Sequence, residues 1–141
     1  MKIFICASKY CYHLIPPIKQ ELEKQGHIIA LPNSFNEPMK EEQLKKLDAE
    51  QHVKWKSKML LLQEKNIKEN DAILVLNEEK NGVKNYIGGA TFLEMFKAFE
   101  LGKAIFLFNP IPEGILSDEI KALKPVILNK NISLLNEYKK T

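Results

Sequence analysis

Short apolar runs alternate with longer amphipathic stretches along this chain, and the alternation predicts its architecture. Residues 2–7 are almost wholly apolar, which is typical of a strand covered on both faces rather than of a surface strand. Similar runs recur three times, and a weaker one follows near the end of the chain. These later runs span residues 27–31, 72–76, 104–108 and 125–128.

Helical patterns lie between the apolar runs. Pro16 and Pro17 favour the first turn of one helix, and Gly26 is suited to close it. Strands that alternate with helices are joined by right-handed crossovers into an open parallel sheet. We therefore expect an α/β fold: a three-layer, doubly wound parallel sheet of about five strands in a flavodoxin-like, Rossmann-like order.

Residues 40–68 carry one long helical pattern. A single unbroken helix would be about 43 Å long, which is more than a domain of this size normally holds. We expect two helices or a kink. The inward stripe is predicted to consist of Leu44, Leu47, Gln51, Trp55, Met59 and Leu62.

Length and composition indicate one domain over residues 1–141. The 141 residues are 45% hydrophobic, which suffices for one core without disulfides or metal. Lysine and arginine outnumber aspartate and glutamate by only 21 to 18, and both signs mix along residues 40–46, as on a solvated helix face. Lys139 and Lys140 are too few for a basic arm, so we expect no nucleic-acid partner.

The cysteines and histidines offer no metal or disulfide pattern. Cys6 and Cys11 lack ligand-type spacing and are interpreted as reduced thiols. The three histidines are interpreted as surface or satisfied core residues, so neither a metal nor a cofactor is expected. Residues 1–6 enter a strand directly, and no apolar run reaches about 18 residues. We expect a cytoplasmic protein with no membrane partner.

In an open parallel sheet, ligands bind outside the carboxyl ends of the strands. This rule selects the loops at residues 8–15, 32–39, 77–90 and 109–113. Polar residues stand at each strand exit, and each has an alternative interpretation as a turn former or cap. They are Ser8, Asn33 with Ser34, Asn77, and Asn109.

The segment from Asn85 to Glu94 is the predicted centre of the site. Gly88 and Gly89 precede a helix, so backbone amides can approach a ligand and the helix N-terminus can receive an anion. The spacing matches neither a Walker loop nor G-x-G-x-x-G, so ATP hydrolysis and dinucleotide redox chemistry have no support.

A helical wheel orients the helix that follows. Lys97, Glu100 and Lys103 fall on the solvent side, opposite Thr91, Met95, Ala98 and Gly102. Glu94 falls on the inner flank, where it is either a cap or ion-pair partner or a nucleophile. We expect the helix N-terminus to lower its pKa and keep it ionised. Leu93 and Phe96 point outward, which suggests a homodimer.

Residues 91–103 carry Thr91, Glu94 three residues later, Ala98, and then Gly102-Lys103 before the next apolar run. This arrangement resembles the nucleoside 2-deoxyribosyltransferase superfamily and its nucleotide N-glycoside hydrolase relatives. The likeness extends in outline to residues 70–75 and 3–8. It implies cleavage or transfer at the N-glycosidic bond of a nucleoside or nucleoside 5'-monophosphate, with Glu94 as nucleophile.

The resemblance also suggests further roles. Asp71 is the next catalytic candidate, with a strand-start cap as the alternative. Gly88, Gly89 and Thr91 are expected to hold a 5'-phosphate, assisted by Ser8, and aromatic residues are expected to cover the base. Those aromatic candidates are Tyr10, Phe35 and Trp55, with a core position favoured for Trp55; Asn77, Asn85 and Asn109 complete the predicted site.

Two positions depart from the family pattern. Gly88 stands where many members have aspartate or serine, and Gln63, beside Glu64, stands where many have an aspartate. Three hypotheses follow. They are an N-glycosidic enzyme, a nucleotide-sensing module that has lost turnover, and an enzyme that cleaves a nicotinamide glycosidic bond.

Overall fold

Five parallel strands form one sheet in the computed structural model, which describes residues 1–138. The predicted Lys139-Lys140 tail lies outside the described residues. The strand order is β2-β1-β3-β4-β5, so the predicted flavodoxin-like, doubly wound arrangement is confirmed. The strands are β1 Lys2–Ala7, β2 Ile28–Ala30, β3 Ala72–Leu76, β4 Ala104–Leu107 and β5 Val126–Ile127.

Helices cover both faces of this sheet, in agreement with strands that are apolar except for Lys2 at the start of β1. They are α1 Ile15–Lys24, α2 Lys40–Leu47, α3 Ala49–Lys68, α4 Gly89–Glu100 and α5 Ser117–Ala122, with 3-10 segments at Lys9–Leu14 and Ile132–Glu137. Side chains of successive strand residues enter opposite layers. Phe4 and Cys6 pack in the cluster that contains residues of α3, α4 and α5, whereas Ile3 and Ile5 pack in the cluster on the α1 face.

The pattern over residues 40–68 forms two helices, as predicted. Asp48 separates them in an extended conformation, and its side chain accepts hydrogen bonds from the backbone amides of Glu50 and Gln51 at 3.0 and 3.3 Å. An N-cap of this kind restarts the helix in a new direction. The predicted inward stripe fails at Leu47, which is 82% exposed, and also at Gln51 and Leu62, which are exposed on α3.

Helix α2 differs from the other helices in having no buried residue. It packs against α3 and is tied to its surroundings by ion pairs. Within residues 1–138, no helix combines the length and the apolar character needed to span a bilayer.

Candidate active site

A cavity of about 280 Å³ opens at the carboxyl edge of β1 and β3. Its walls come from the loop after β1, the segment after β2, helices α2 and α3, and the start of α4. The position agrees with the rule that ligands bind where strand order reverses, because β1 and β3 are neighbours with connections on opposite faces. Six of the predicted site residues line it: Ser8, Tyr10, Gly88, Gly89, Thr91 and Glu94.

The beginning of α4 contributes unpaired backbone amides to the cavity. Gly88 is the N-cap, and its carbonyl accepts the amide of Phe92 at 2.9 Å. No side chain in the described part of the protein caps this end. The amide groups of the first turn, which have no partner within a helix, therefore remain available to a ligand.

Glu94 lies on the inner face of α4 and forms part of the cavity wall. Thr91, Met95 and Ala98 are buried on the same face, as the helical wheel predicts, and Glu94 itself is only 9% exposed. The thiol of Cys6, on β1, is the neighbouring group that acts on the Glu94 carboxyl from the sheet. The cap interpretation does not fit, because Glu94 lies in the second turn of the helix.

Burial raises the pKa of Glu94 to about 8, although the Cys6 hydrogen bond and the positive charge of Lys56 act to lower it. The expectation that the helix N-terminus lowers this pKa is therefore wrong. The field of a helix end declines beyond the first turn, and Glu94 lies five residues past Gly89. Removal of water from the carboxylate outweighs what remains of that field.

Tyr12 also lines the cavity, close to Glu94. Burial, followed by the negative charges of Glu94 and Glu41, raises the pKa of Tyr12 to about 12. Its hydroxyl is therefore protonated near neutral pH and can act as a hydrogen-bond donor towards a ligand.

Three of the predicted site residues have structural roles in loops and do not line the cavity. They are Asn77, Asn85 and Asn109. The Asn77 side chain donates to the carbonyls of Asn109 and Pro110, both at 3.0 Å, and accepts the Asn109 amide at 2.8 Å. The Asn109 side chain in turn donates to the Asn77 carbonyl at 3.0 Å. This buried pair joins the exits of β3 and β4. Asn85 adopts a positive φ of 56° and serves as a turn residue outside the cavity.

Asp71 lies at the amino end of β3, at the opposite edge of the sheet from the cavity. Its carboxylate accepts the backbone amide of Lys2 at 2.8 Å, and its own amide donates to the Lys2 carbonyl at 2.7 Å. A five-residue strand spans roughly 17 Å. Asp71 therefore does not reach the cavity, and its contacts match the alternative of a strand-start cap.

Of the aromatic residues predicted to cover the base, Trp55 lines the cavity and Phe35 does not. Trp55 lines the cavity and stacks with His52, with ring centroids 6.5 Å apart and an interplanar angle of 27°, so its predicted core position is wrong. Phe35 packs instead against Tyr12, with ring centroids 5.6 Å apart.

Lys80 and Tyr86 are cavity residues that the sequence did not reveal. The Lys80 ammonium lies 4.6 Å from the ring centroid of Tyr10 and 4.8 Å from that of Tyr86. Cation–π contacts with two rings hold the ammonium at the rim of the cavity. Among residues 1–138, no carboxylate forms a salt bridge with it.

The cavity as a whole carries more positive than negative charge. Four lysines and three glutamates line it, and burial keeps Glu94 protonated at neutral pH. Lys9 pairs with Glu42, and Lys56 pairs with Glu41. The lining lysines are Lys9, Lys45, Lys56 and Lys80. Within the described residues, no three His, Cys, Asp or Glu side chains are grouped so that they could hold a metal ion.

Comparison with known proteins yields a structural likeness. No protein-family model matches the chain. No curated protein matches it in sequence. Among solved structures, Clostridium botulinum CMP N-glycosidase, BcmB, superposes with a TM-score of 0.56 at 18% sequence identity, covering 98% of this chain and 100% of that chain. At this identity, the likeness shows that the two proteins share a fold.

Proposed function

We propose that this protein cleaves the N-glycosidic bond of a nucleoside 5'-monophosphate, with Glu94 as the nucleophile. The observation that carries the proposal is a buried glutamate facing a cavity that also contains a helix N-terminus and a lysine, for which residues 1–138 supply neither a side-chain cap nor a carboxylate partner. The likeness to a CMP N-glycosidase supports the same class of reaction.

In the proposed reaction, the ionised Glu94 carboxylate attacks the anomeric carbon of the sugar. The bond from this carbon to the base nitrogen breaks, and the departing base takes up a proton. Water or a second base then releases the sugar from Glu94, which gives hydrolysis or transfer. Gln63 lines the cavity, but its amide has no acid proton to give to the departing base. The neighbouring Glu64 pairs with Lys68 at 2.9 Å. Trp55 offers an aromatic face to the base.

The start of α4 is the proposed phosphate site. Backbone amides after Gly88 and the hydroxyls of Ser8 and Thr91 line it. A β-carbon at Gly88 would lie 3.3 Å from the Tyr86 hydroxyl oxygen, so Tyr86 occupies the space that a larger residue there would need. We propose that the Tyr86 hydroxyl replaces the polar side chain that the family carries at this position, and that Lys80 supplies positive charge.

Replacing Lys80 with glutamine is expected to raise KM for a nucleoside 5'-monophosphate by about tenfold, because one charge-assisted contact to phosphate is lost. The KM for the corresponding nucleoside, which has no phosphate, should change little. Steady-state kinetics on both substrates measures the difference.

Lys84→Gln is the matched control, since Lys84 is an exposed lysine of the same loop and does not line the cavity. Equal effects of Lys80→Gln on nucleoside and nucleotide would contradict a phosphate contact.

A nucleotide-sensing module without turnover is the second candidate function. It is favoured by the raised pKa of Glu94, because a protonated carboxyl is not a nucleophile at neutral pH. In that case the cavity would bind nucleotides and release no base.

We further propose a homodimer formed partly through α4. Leu93 and Phe96 are exposed on this helix, where a monomer would favour polar residues. Sedimentation should show a dimer at micromolar concentrations and a monomer for Phe96→Asp. A wild-type monomer throughout that range would contradict the dimer.

A further inference from the structure

Glu41, His52 and Lys56 form a chain of contacts on the cavity wall. The Glu41 Oε2 atom lies 2.9 Å from His52 Nε2 and 3.0 Å from Lys56 Nζ. His52 and Lys56 are one turn apart on α3, and Glu41 comes from α2. The three side chains are between 19% and 35% exposed, so the Lys56 ammonium is held in place by a shared, partly buried carboxylate oxygen.

Two members of this network share the cavity with Glu94. Lys56, Glu41 and Glu94 line one cavity, and Lys56 is the cation whose charge acts on Glu94 within the described part of the chain. The other groups that face Glu94 are the Cys6 thiol from β1 and the Tyr12 phenol from the segment after it. Both are neutral near pH 7, because burial raises the pKa of each.

The charge of Glu41 is maintained by the same contacts. Burial acts to raise the pKa of Glu41, but hydrogen bonds from His52 and Lys56 and the Lys56 charge hold it below its usual value. Glu41 is therefore an anion across neutral pH. Without Lys56, an ionised Glu94 would still share the cavity with this anion but would lose the cation whose charge acts on it.

We propose that Lys56, held by Glu41, which also contacts His52, is a positioning residue that stabilises the Glu94 carboxylate as it loses its proton. It thereby sets the fraction of protein molecules in which Glu94 is ionised and can attack the anomeric carbon. This inference rests on the proposed function, in which Glu94 is the nucleophile. It assigns a role to residues of α2 and α3 that the resemblance does not indicate.

A carbon-13 NMR titration of the Glu94 carboxyl tests the inference without substrate. Lys56→Met is expected to move the Glu94 midpoint up by about one pH unit, since a nearby opposite charge is lost. Lys56→Arg should restore most of the wild-type midpoint. Lys45→Met removes another lysine of the cavity, one whose charge acts on Glu41 rather than on Glu94, and should move the midpoint much less than Lys56→Met does.

The pH profile of kcat/KM for base release from CMP and dCMP gives a second readout. Its ascending limb should shift to higher pH in Lys56→Met by the same amount as the NMR midpoint. An unchanged Glu94 midpoint in Lys56→Met overturns the inference, whether or not the protein releases base. A shifted midpoint in a protein that releases no base supports the role of Lys56 and overturns the proposed function instead.

Discussion

Glu94→Gln is expected to lower the rate of base release by roughly a thousandfold or more, because glutamine keeps the shape of the side chain and cannot form the ester to the sugar. Ligand binding should persist, since the phosphate and base contacts proposed above come from other residues. The measurement is release of free base from a panel of deoxynucleosides, nucleosides and their 5'-monophosphates, with and without an acceptor base.

Glu100→Gln is the matched control for this experiment. Glu100 lies on the same helix, pairs with Lys97 at 2.7 Å and faces solvent, so its replacement should leave base release unchanged. Equal and negligible turnover by wild type and Glu94→Gln, with nucleotide binding intact, would contradict the enzymatic proposal and favour the sensing module. Including NAD in the panel separates cleavage of a nicotinamide glycosidic bond from cleavage of a nucleotide.

The second large effect concerns stability and needs no substrate. Burial raises the pKa of Glu94 from its usual 4.5 to about 8, so between these pH values the folded protein retains a proton that the unfolded chain releases. The free energy of unfolding must fall as pH rises through this window. Glutamine carries no such proton. From pH 5 to 8.5, the stability of Glu94→Gln relative to wild type should therefore increase by on the order of 4 kcal/mol.

Urea denaturation of both proteins at several pH values measures this difference. Glu100→Gln again serves for comparison and should show no comparable trend, because its carboxylate is exposed on the same helix. A Glu94→Gln difference that stays constant from pH 5 to 8.5 would mean that Glu94 is already ionised in the folded protein.

The fold could be predicted because its signals are local. Each apolar run became a strand of the sheet. β1 and β3 have the predicted bounds, β2 and β5 are shorter by one residue at each end, and β4 is shorter by one residue at its carboxyl end. That residues 40–68 would not form one straight helix also followed from length alone, although the position of the break at Asp48 was not predicted. Side-chain partners are different, since they depend on which loops meet, and Asn77 could not be recognised from sequence as the partner of Asn109.

The candidate site was predictable where the faces of a helix follow from its own pattern and less so elsewhere. Glu94 and the glycine pair lie on a helix whose faces can be read from its own pattern. Asp71 precedes the apolar run of β3, which should have placed it at the amino edge of the sheet. Lys80, Tyr86 and Lys56 reach the cavity only through the path of a loop and the turn between α2 and α3, for which the sequence carries no periodic signal.

The cavity has walls of two different kinds. One wall consists of β1, β3 and α4, whose inward residues are buried. The other wall includes α2, which has no buried residue. Its Glu42 pairs with Lys9, and its Glu41 pairs with Lys56 and contacts His52. Partly exposed ion pairs contribute little free energy and weaken as salt screens them. Raising the ionic strength is therefore expected to weaken the attachment of α2 to the rest of the cavity more than it weakens the packing of β1, β3 and α4.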